Sequence, residues 1–427
     1  MAPRHIMALT ILTALCGVGA LSAKSSTSAV VSTPIREATH DTERRSEWAV
    51  STGAYECLLT QTNRSADLRE AISRCARRGE QIRRLTDPTY RRFAESLTMP
   101  QALAIYSEVL TKLQLLYPDR DRASVAKLYR SGLSELAAGL PDAAFPAGSE
   151  ALVPMVRTAA LASPSEAAAA RDAIKALALE GHKASKAPVG LMVLECACGA
   201  CAGLDDYTIY LHPGRGTEPS EPSAPSVSRV ETLQTGGLDA ATVGYVRIER
   251  FDKTLPVELD AAIAQLRARG ARSLVLDLRG VPGGSFLAAI QTAERFVARG
   301  TIATAAGHQP SANRVYAAPG TATCDWPLVV LVDTNTASSA EVLAAALKER
   351  DQTLLVGQAT YGKAAVQQLI PLESGGSLRV TLARLFGPDG RSYSGTGVAP
   401  SIPEANPQQQ LEVALREASK LAAAKAG

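Results

Sequence analysis

Apolar residues recur along this chain in two rhythms. Before residue 203 they return at intervals of three and four, the spacing of a helix with one buried face. Residues 100–117 place Leu103, Ile105, Tyr106, Val109, Leu110, Leu113 and Leu116 in this way. Residues 66–78, 122–140 and 166–179 repeat the style, and Asp87-Pro88, Leu140-Pro141-Asp142 and Ser163-Pro164-Ser165 punctuate it. The spacing predicts an α-helical domain over 48–203. Further on, short continuous runs take over, at 244–248, 273–278, 328–332, 353–357 and 378–386. Several are rich in β-branched residues, and amphipathic stretches such as 255–269 and 341–350 lie between them. This alternation predicts buried, parallel strands joined by helices through right-handed crossovers, an α/β domain over 229–402. A terminal helix is expected within 403–427.

The polar stretches set the boundaries. Residues 24–47 are Ser/Thr-rich and predict a flexible leader. Residues 213–228 are rich in Pro, Ser and Glu, so 204–228 is expected to be a linker. At the start, Arg4 precedes an apolar run over 6–21 and the small residues Ala20, Ser22 and Ala23. That is the form of a secretory signal over 1–23, with an uncleaved anchor helix as the alternative. The expected location is therefore periplasmic or extracellular. Composition narrows the partners: 46% of residues are hydrophobic, 20% are charged and the net charge is +3. That is ample for a core and too weakly basic to argue for nucleic acid or an anionic membrane. Of seven cysteines, Cys16 falls in the signal. Cys196-x-Cys198-x-x-Cys201 is the dense group, open to disulfides, free thiols or a metal, although no histidine pattern accompanies it.

The candidate chemistry lies around the run at 328–332. Ser338 and Ser339 follow it, where a strand hands over to a helix. A helix start offers unpaired N–H groups and a positive dipole end, which can hold an oxyanion. A nucleophilic serine also needs a base. Lys363 follows the next strand, and a lysine serves if burial leaves it neutral. Gln367 lies four residues on, and one helical turn from Lys363 would bring its amide within about 6 Å of the amine. Ser338-Ser339-Ala340-Glu341 also matches an S-x-x-E capping box, so the same letters can mean only a helix start. These residues alone do not choose between the two serines. Gly283 and Gly284 close a turn after the strand at 273–278, where glycine lets backbone approach a ligand closely, although a plain strand-to-helix turn reads the same.

Taken together, these stretches resemble the C-terminal-processing, or tail-specific, serine peptidases. The family run S/T-A-S-x-S/A-E stands here as Thr336-Ala337-Ser338-Ser339-Ala340-Glu341, and F/Y-G-K-x-x-V-Q as Tyr361-Gly362-Lys363-Ala364-Ala365-Val366-Gln367. Arg279-Gly280-Val281-Pro282-Gly283-Gly284 resembles R-x-N-P-G-G with Val281 in place of Asn. Gly395-Thr396-Gly397-Val398-Ala399-Pro400 matches G-x-G-I-x-P, followed by Ser401 where Asp is usual. Leu204-Asp205-Asp206-Tyr207-Thr208-Ile209-Tyr210-Leu211 resembles a family segment that normally precedes a PDZ domain. Only residues 212–243 follow it before the next strand, too few for such a domain, so no PDZ module is expected.

The resemblance covers roughly 229–402. It implies a crotonase/ClpP-like catalytic core, Ser338 as nucleophile, Lys363 as base and Gln367 as its orienting partner. It also implies an oxyanion hole from Ser339 and the Gly283–Gly284 turn. The substrate would be a protein or peptide, and the chemistry needs no cofactor. Two rivals stand beside this reading: a binding protein on a disabled peptidase scaffold, and an acyl-CoA enzyme of crotonase type. The secretory signal argues against the second, and the intact Ser338, Lys363 and Gln367 set against the first.

Overall fold

The computed structural model describes residues 66–426 apart from 143, 216–224 and 235–241. The expected signal, leader, Cys16 and Cys57 lie outside the described residues. The chain divides into two compact units, Met1–Tyr106 with Tyr129–Asp206, and Ser107–Leu128 with Tyr207–Gly427.

The first unit is helical: α1 (Ala66–Thr86), α2 (Pro88–Ser96), the start of α3 (Met99–Leu116), most of α4 (Val125–Gly139), α5 (Val153–Ala159), α6 (Ala167–Ser185) and α7 (Val189–Ala202). Local sequence sets the breaks. Asp87 caps α2, its carboxylate accepting from the Thr89 N–H at 2.8 Å, and Pro88 fills the first helical position, where no N–H is needed. α7 is apolar on all sides and therefore central; every residue from Gly190 to Cys201 is buried. It meets α4 closely: a Cβ on Gly132 would stand 2.5 Å from the Cys196 carbonyl oxygen, and one on Gly199 2.6 Å from that of Ser131. The one acid on α7, Glu195, is fully satisfied. It takes two bonds from Arg84 (3.0 and 2.9 Å), one from Gln81 (3.0 Å) and one from Tyr90 (2.8 Å). Cys75, Cys196, Cys198, Cys201 and Cys324 are all buried, and burial pushes Cys198 up to about 12. Among the described residues no group of three or more His, Cys, Asp or Glu is arranged to hold a metal.

The second unit holds two sheets. The larger runs β11-β8-β7-β4-β3-β2. Its strands are β2 (Val227–Gln234), β3 (Thr242–Ile248), β4 (Ser273–Asp277), β7 (Leu328–Val332), β8 (Thr353–Gly357) and β11 (Ile402–Pro403). All neighbours are parallel except the β2–β3 pair. The central strand β7 is buried at every position because both faces are covered. Leu328, Val330 and Val332 face a core shared with α8 (Leu255–Ala268), α9 (Phe286–Ala293) and α10 (Ser339–Lys348). Val329 and Leu331 face α11 (Pro407–Ala426) through Ala414 and Ala418.

The second sheet is antiparallel, in the order β1-β10-β5-β6, with β9 on the other side of β10. Its strands are β1 (Ile209–Leu211), β5 (Thr301–Gly307), β6 (Arg314–Ala317), β9 (Ala365–Pro371) and β10 (Ser377–Phe386). The stretch expected as linker thus supplies a paired strand, β1, and the first two residues of β2. Segment Ser107–Leu128, although helical, counts with this unit. Glu108 accepts from the Ser374 N–H (2.9 Å) and hydroxyl (2.6 Å), and Asp119 pairs with Arg384 at 3.2 Å. Among the described residues, no helix is long and apolar enough to cross a membrane.

Candidate active site

Three loops converge at the C-terminal ends of the parallel strands β4, β7 and β8. After β7 the chain turns sharply, because Asp333 Oδ1 accepts from the N–H groups of Asn335 (3.0 Å) and Thr336 (2.9 Å). The same oxygen accepts from the Gly280 N–H (2.9 Å), and the Ala337 N–H donates to the Val281 carbonyl (2.9 Å). These bonds stitch the serine loop to the glycine turn after β4. Ser338 then emerges with φ +56° and ψ −118°, a conformation that costs a non-glycine residue about 1–3 kcal/mol and persists only when the surroundings impose it.

Gly283 is part of those surroundings. It has φ +107°, and a Cβ there would stand 2.8 Å from Ser338 Cβ and 3.0 Å from the Ser339 nitrogen, so the position admits only glycine. Among the described hydrogen bonds none uses the N–H of Gly283 or Ser339, the first amide of α10. Both are thus open to an incoming oxygen. Gly284 is occupied differently. A Cβ there would lie 2.1 Å from the Phe251 carbonyl oxygen, and its own carbonyl accepts from Ser339 Oγ at 2.8 Å.

That last bond separates the two serines. Ser339 is buried and its hydroxyl is committed, whereas Ser338 is half-buried at the loop's apex. Ser339→Ala is expected to cost about 1 kcal/mol, the worth of one hydrogen bond, and to retain activity, since the backbone N–H is unchanged. Urea denaturation and a peptide-cleavage assay read the two effects. Loss of activity as deep as that of Ser338→Ala would reverse the roles.

The capping box is present, and it does more than cap. Glu341 is fully buried and its carboxylate takes four hydrogen bonds. Oε2 accepts from the Ser338 N–H (2.8 Å) and the Lys363 N–H (2.7 Å); Oε1 accepts from the Gly362 N–H (2.6 Å) and the Thr360 hydroxyl (2.6 Å). Burial pushes its carboxyl above the usual range, and the four donors pull against that shift. One oxygen thereby ties the main chain of Ser338 to that of Lys363 across a gap of 25 positions in sequence.

Lys363 is half-buried in the loop between β8 and β9. Its Nζ stands over the ring of Tyr207, 4.9 Å from the centroid. The helical turn expected from Lys363 to Gln367 does not form. Residues Ala365–Pro371 are strand β9, paired with β10, so the four-residue spacing does not bring the two side chains together in the expected way. Gln367 Nε2 instead donates to the Tyr207 carbonyl at 2.8 Å. Its link to Lys363 runs through Tyr207.

Residues 242–403 match the model of Peptidase family S41. This segment is similar to peptidase family S41. It is 36% identical over 159 residues to the carboxyl-terminal-processing protease of Synechocystis, an alignment covering 37% of each chain. It is 34% identical over 173 residues to the carboxy-terminal processing protease CtpA of Bacillus subtilis, covering 40% of this chain and 37% of that one. A solved structure titled photosystem II D1 C-terminal processing protease aligns over 47% of this chain and 53% of its own, at 30% identity and a TM-score of 0.41. The chain spans about two fifths of the length of the curated relatives it matches.

Glu341 and Tyr207 are the residues that reading the sequence underrated. A capping glutamate gives no sign in sequence that it also receives bonds from a loop some twenty residues later. Tyr207 lay in a segment noted only for its likeness, with nothing in its spacing to tie it to Lys363.

Proposed function

We propose that the chain is an exported serine endopeptidase that hydrolyses peptide bonds in unfolded or tail-exposed proteins through a Ser338–Lys363 dyad. The observation that carries this reading is the shared Glu341 oxygen, which holds the nucleophile's and the base's main chains together. Neutral Lys363 Nζ takes the proton from Ser338 Oγ as that oxygen bonds to the substrate carbonyl carbon. The N–H groups of Ser339 and Gly283 receive the oxyanion, with Gly284 completing the turn that presents them. Lys363 then gives its proton to the leaving amine as the C–N bond breaks. Lys363 next takes a proton from water as the water oxygen bonds to the acyl carbon, and returns it to Ser338 Oγ as the ester C–O bond breaks. Gln367 acts on the base through Tyr207. The parallel sheet with helices on both faces is compatible with a crotonase/ClpP-like core, and no step calls for a cofactor. The match of residues 242–403 to Peptidase family S41 also supports serine-type hydrolysis.

Incubation with an unfolded protein ending in an apolar tail tests the proposal. Native protein is expected to yield fragments and Ser338→Ala none. That variant should unfold within about 1 kcal/mol of the native midpoint, the worth of a cap. Cleavage by Ser338→Ala would remove the dyad, and no cleavage by the native chain would favour a disabled scaffold that binds without cutting.

A further inference from the structure

Tyr207 has no part in the dyad as drawn, yet its ring lies against the base and its main chain is tied to Gln367. Lys363 Nζ lies 4.9 Å from its ring centroid, and its carbonyl accepts from Gln367 Nε2 at 2.8 Å. The next residue, Thr208, is fully buried, and its hydroxyl accepts from the Thr381 N–H at 3.3 Å, where the β9–β10 pairing shifts register. The residue after it, Ile209, begins β1, which joins β10. The ring is therefore held by the sheet that carries Gln367, not by a free loop.

We propose that Tyr207 is a positioning residue for the base, its ring face placed to stabilise the ammonium that forms when Lys363 takes the serine proton. This rests on the peptidase reading above. A π face attracts a cation and offers far less to a neutral amine. The contact therefore strengthens as the proton transfers, which is the condition for an interaction to lower a barrier and not merely to tighten binding. Gln367 takes its place in the same device: by holding the Tyr207 carbonyl it fixes the height of the ring under Nζ. Among the described groups, Glu341 is bound to the Lys363 N–H, and the buried Tyr393 lies near that carboxyl. Both are retained in the variants compared below.

The test compares Tyr207→Leu with Tyr207→Phe. Leucine keeps an apolar cover and loses the π face; phenylalanine restores the face without the hydroxyl. In Tyr207→Leu, kcat is expected to fall about tenfold with KM little changed. The acid limb of the pH–rate profile should move to lower pH, because the protonated amine has lost its partner. Tyr207→Phe should recover most of both. Independently of cleavage, Lys363 labelled with 13C at Cε is titrated by NMR, and its midpoint should move down in the leucine variant and return in the phenylalanine variant. An unmoved or raised midpoint, or a phenylalanine variant as impaired as leucine, overturns the proposal. A lowered midpoint in a native protein that cuts nothing would leave the contact real, sink the peptidase reading, and with it the catalytic role assigned to Tyr207.

Discussion

Lys363→Arg is expected to leave the chain folded and without peptidase activity. The fold should tolerate it because the Lys363 position is tied down by its backbone N–H to Glu341, which arginine also has. The chemistry should not, because a guanidinium stays protonated throughout the working range and cannot accept the Ser338 proton. Loss of a positioned general base costs about 10²- to 10⁴-fold. Among the described residues no histidine is bonded to Ser338 to take over that role: His182 bonds to the Ala187 carbonyl, His212 to that of Pro213, and His308 to Arg120. The native protein should show the complementary behaviour. Only the neutral amine is a base, so its activity should rise with pH until Lys363 has lost its proton. Single-turnover cleavage of a fluorogenic peptide across pH, with a urea melt of the variant, reads both. Arginine at a tenth or more of the native rate would mean that Lys363 is not the base.

Glu341→Gln is expected to damage stability and activity together. Each carboxylate oxygen accepts two donors, and a glutamine amide has only one oxygen. Whichever way it turns, its nitrogen faces two groups that can only give hydrogen bonds or, at Thr360, loses the hydroxyl as donor. Two buried donors without acceptors at about 1–3 kcal/mol each give a cost of about 2–6 kcal/mol. Ser338 and Lys363 share Oε2, so the same loss should loosen one loop against the other, and kcat should fall even under conditions where the variant is fully folded. A native melting midpoint with native kcat would show that the shared carboxylate connects nothing.

How much of this was legible beforehand depended on how local each signal is. The run at 328–332 could be read as a two-sided buried strand because its covering on both faces leaves the sequence no polar position to alternate. The helical unit was legible for a related reason, since its buried faces recur within single helices. The antiparallel sheet was largely hidden. Strands β5, β6 and β9 are half-exposed and short, so neither period nor composition announces them. At the site, Ser338 and Lys363 stood out through motif likeness, and the choice between two adjacent serines gained a physical basis only from the Ser339–Gly284 bond. The helical turn expected from Lys363 to Gln367 does not form because strand pairing with β10 wins.

The grip of Glu341 is on main chain at Ser338, Gly362 and Lys363, and main chain is what substitution leaves in place. The span between attacking atom and base is accordingly a property of positions and not of the side chains mounted there. A lineage carrying this frame could trade one nucleophile or one base for another, or lose both, without rebuilding the loops. Working enzymes and silent binders would then share a skeleton that no comparison of backbones could tell apart.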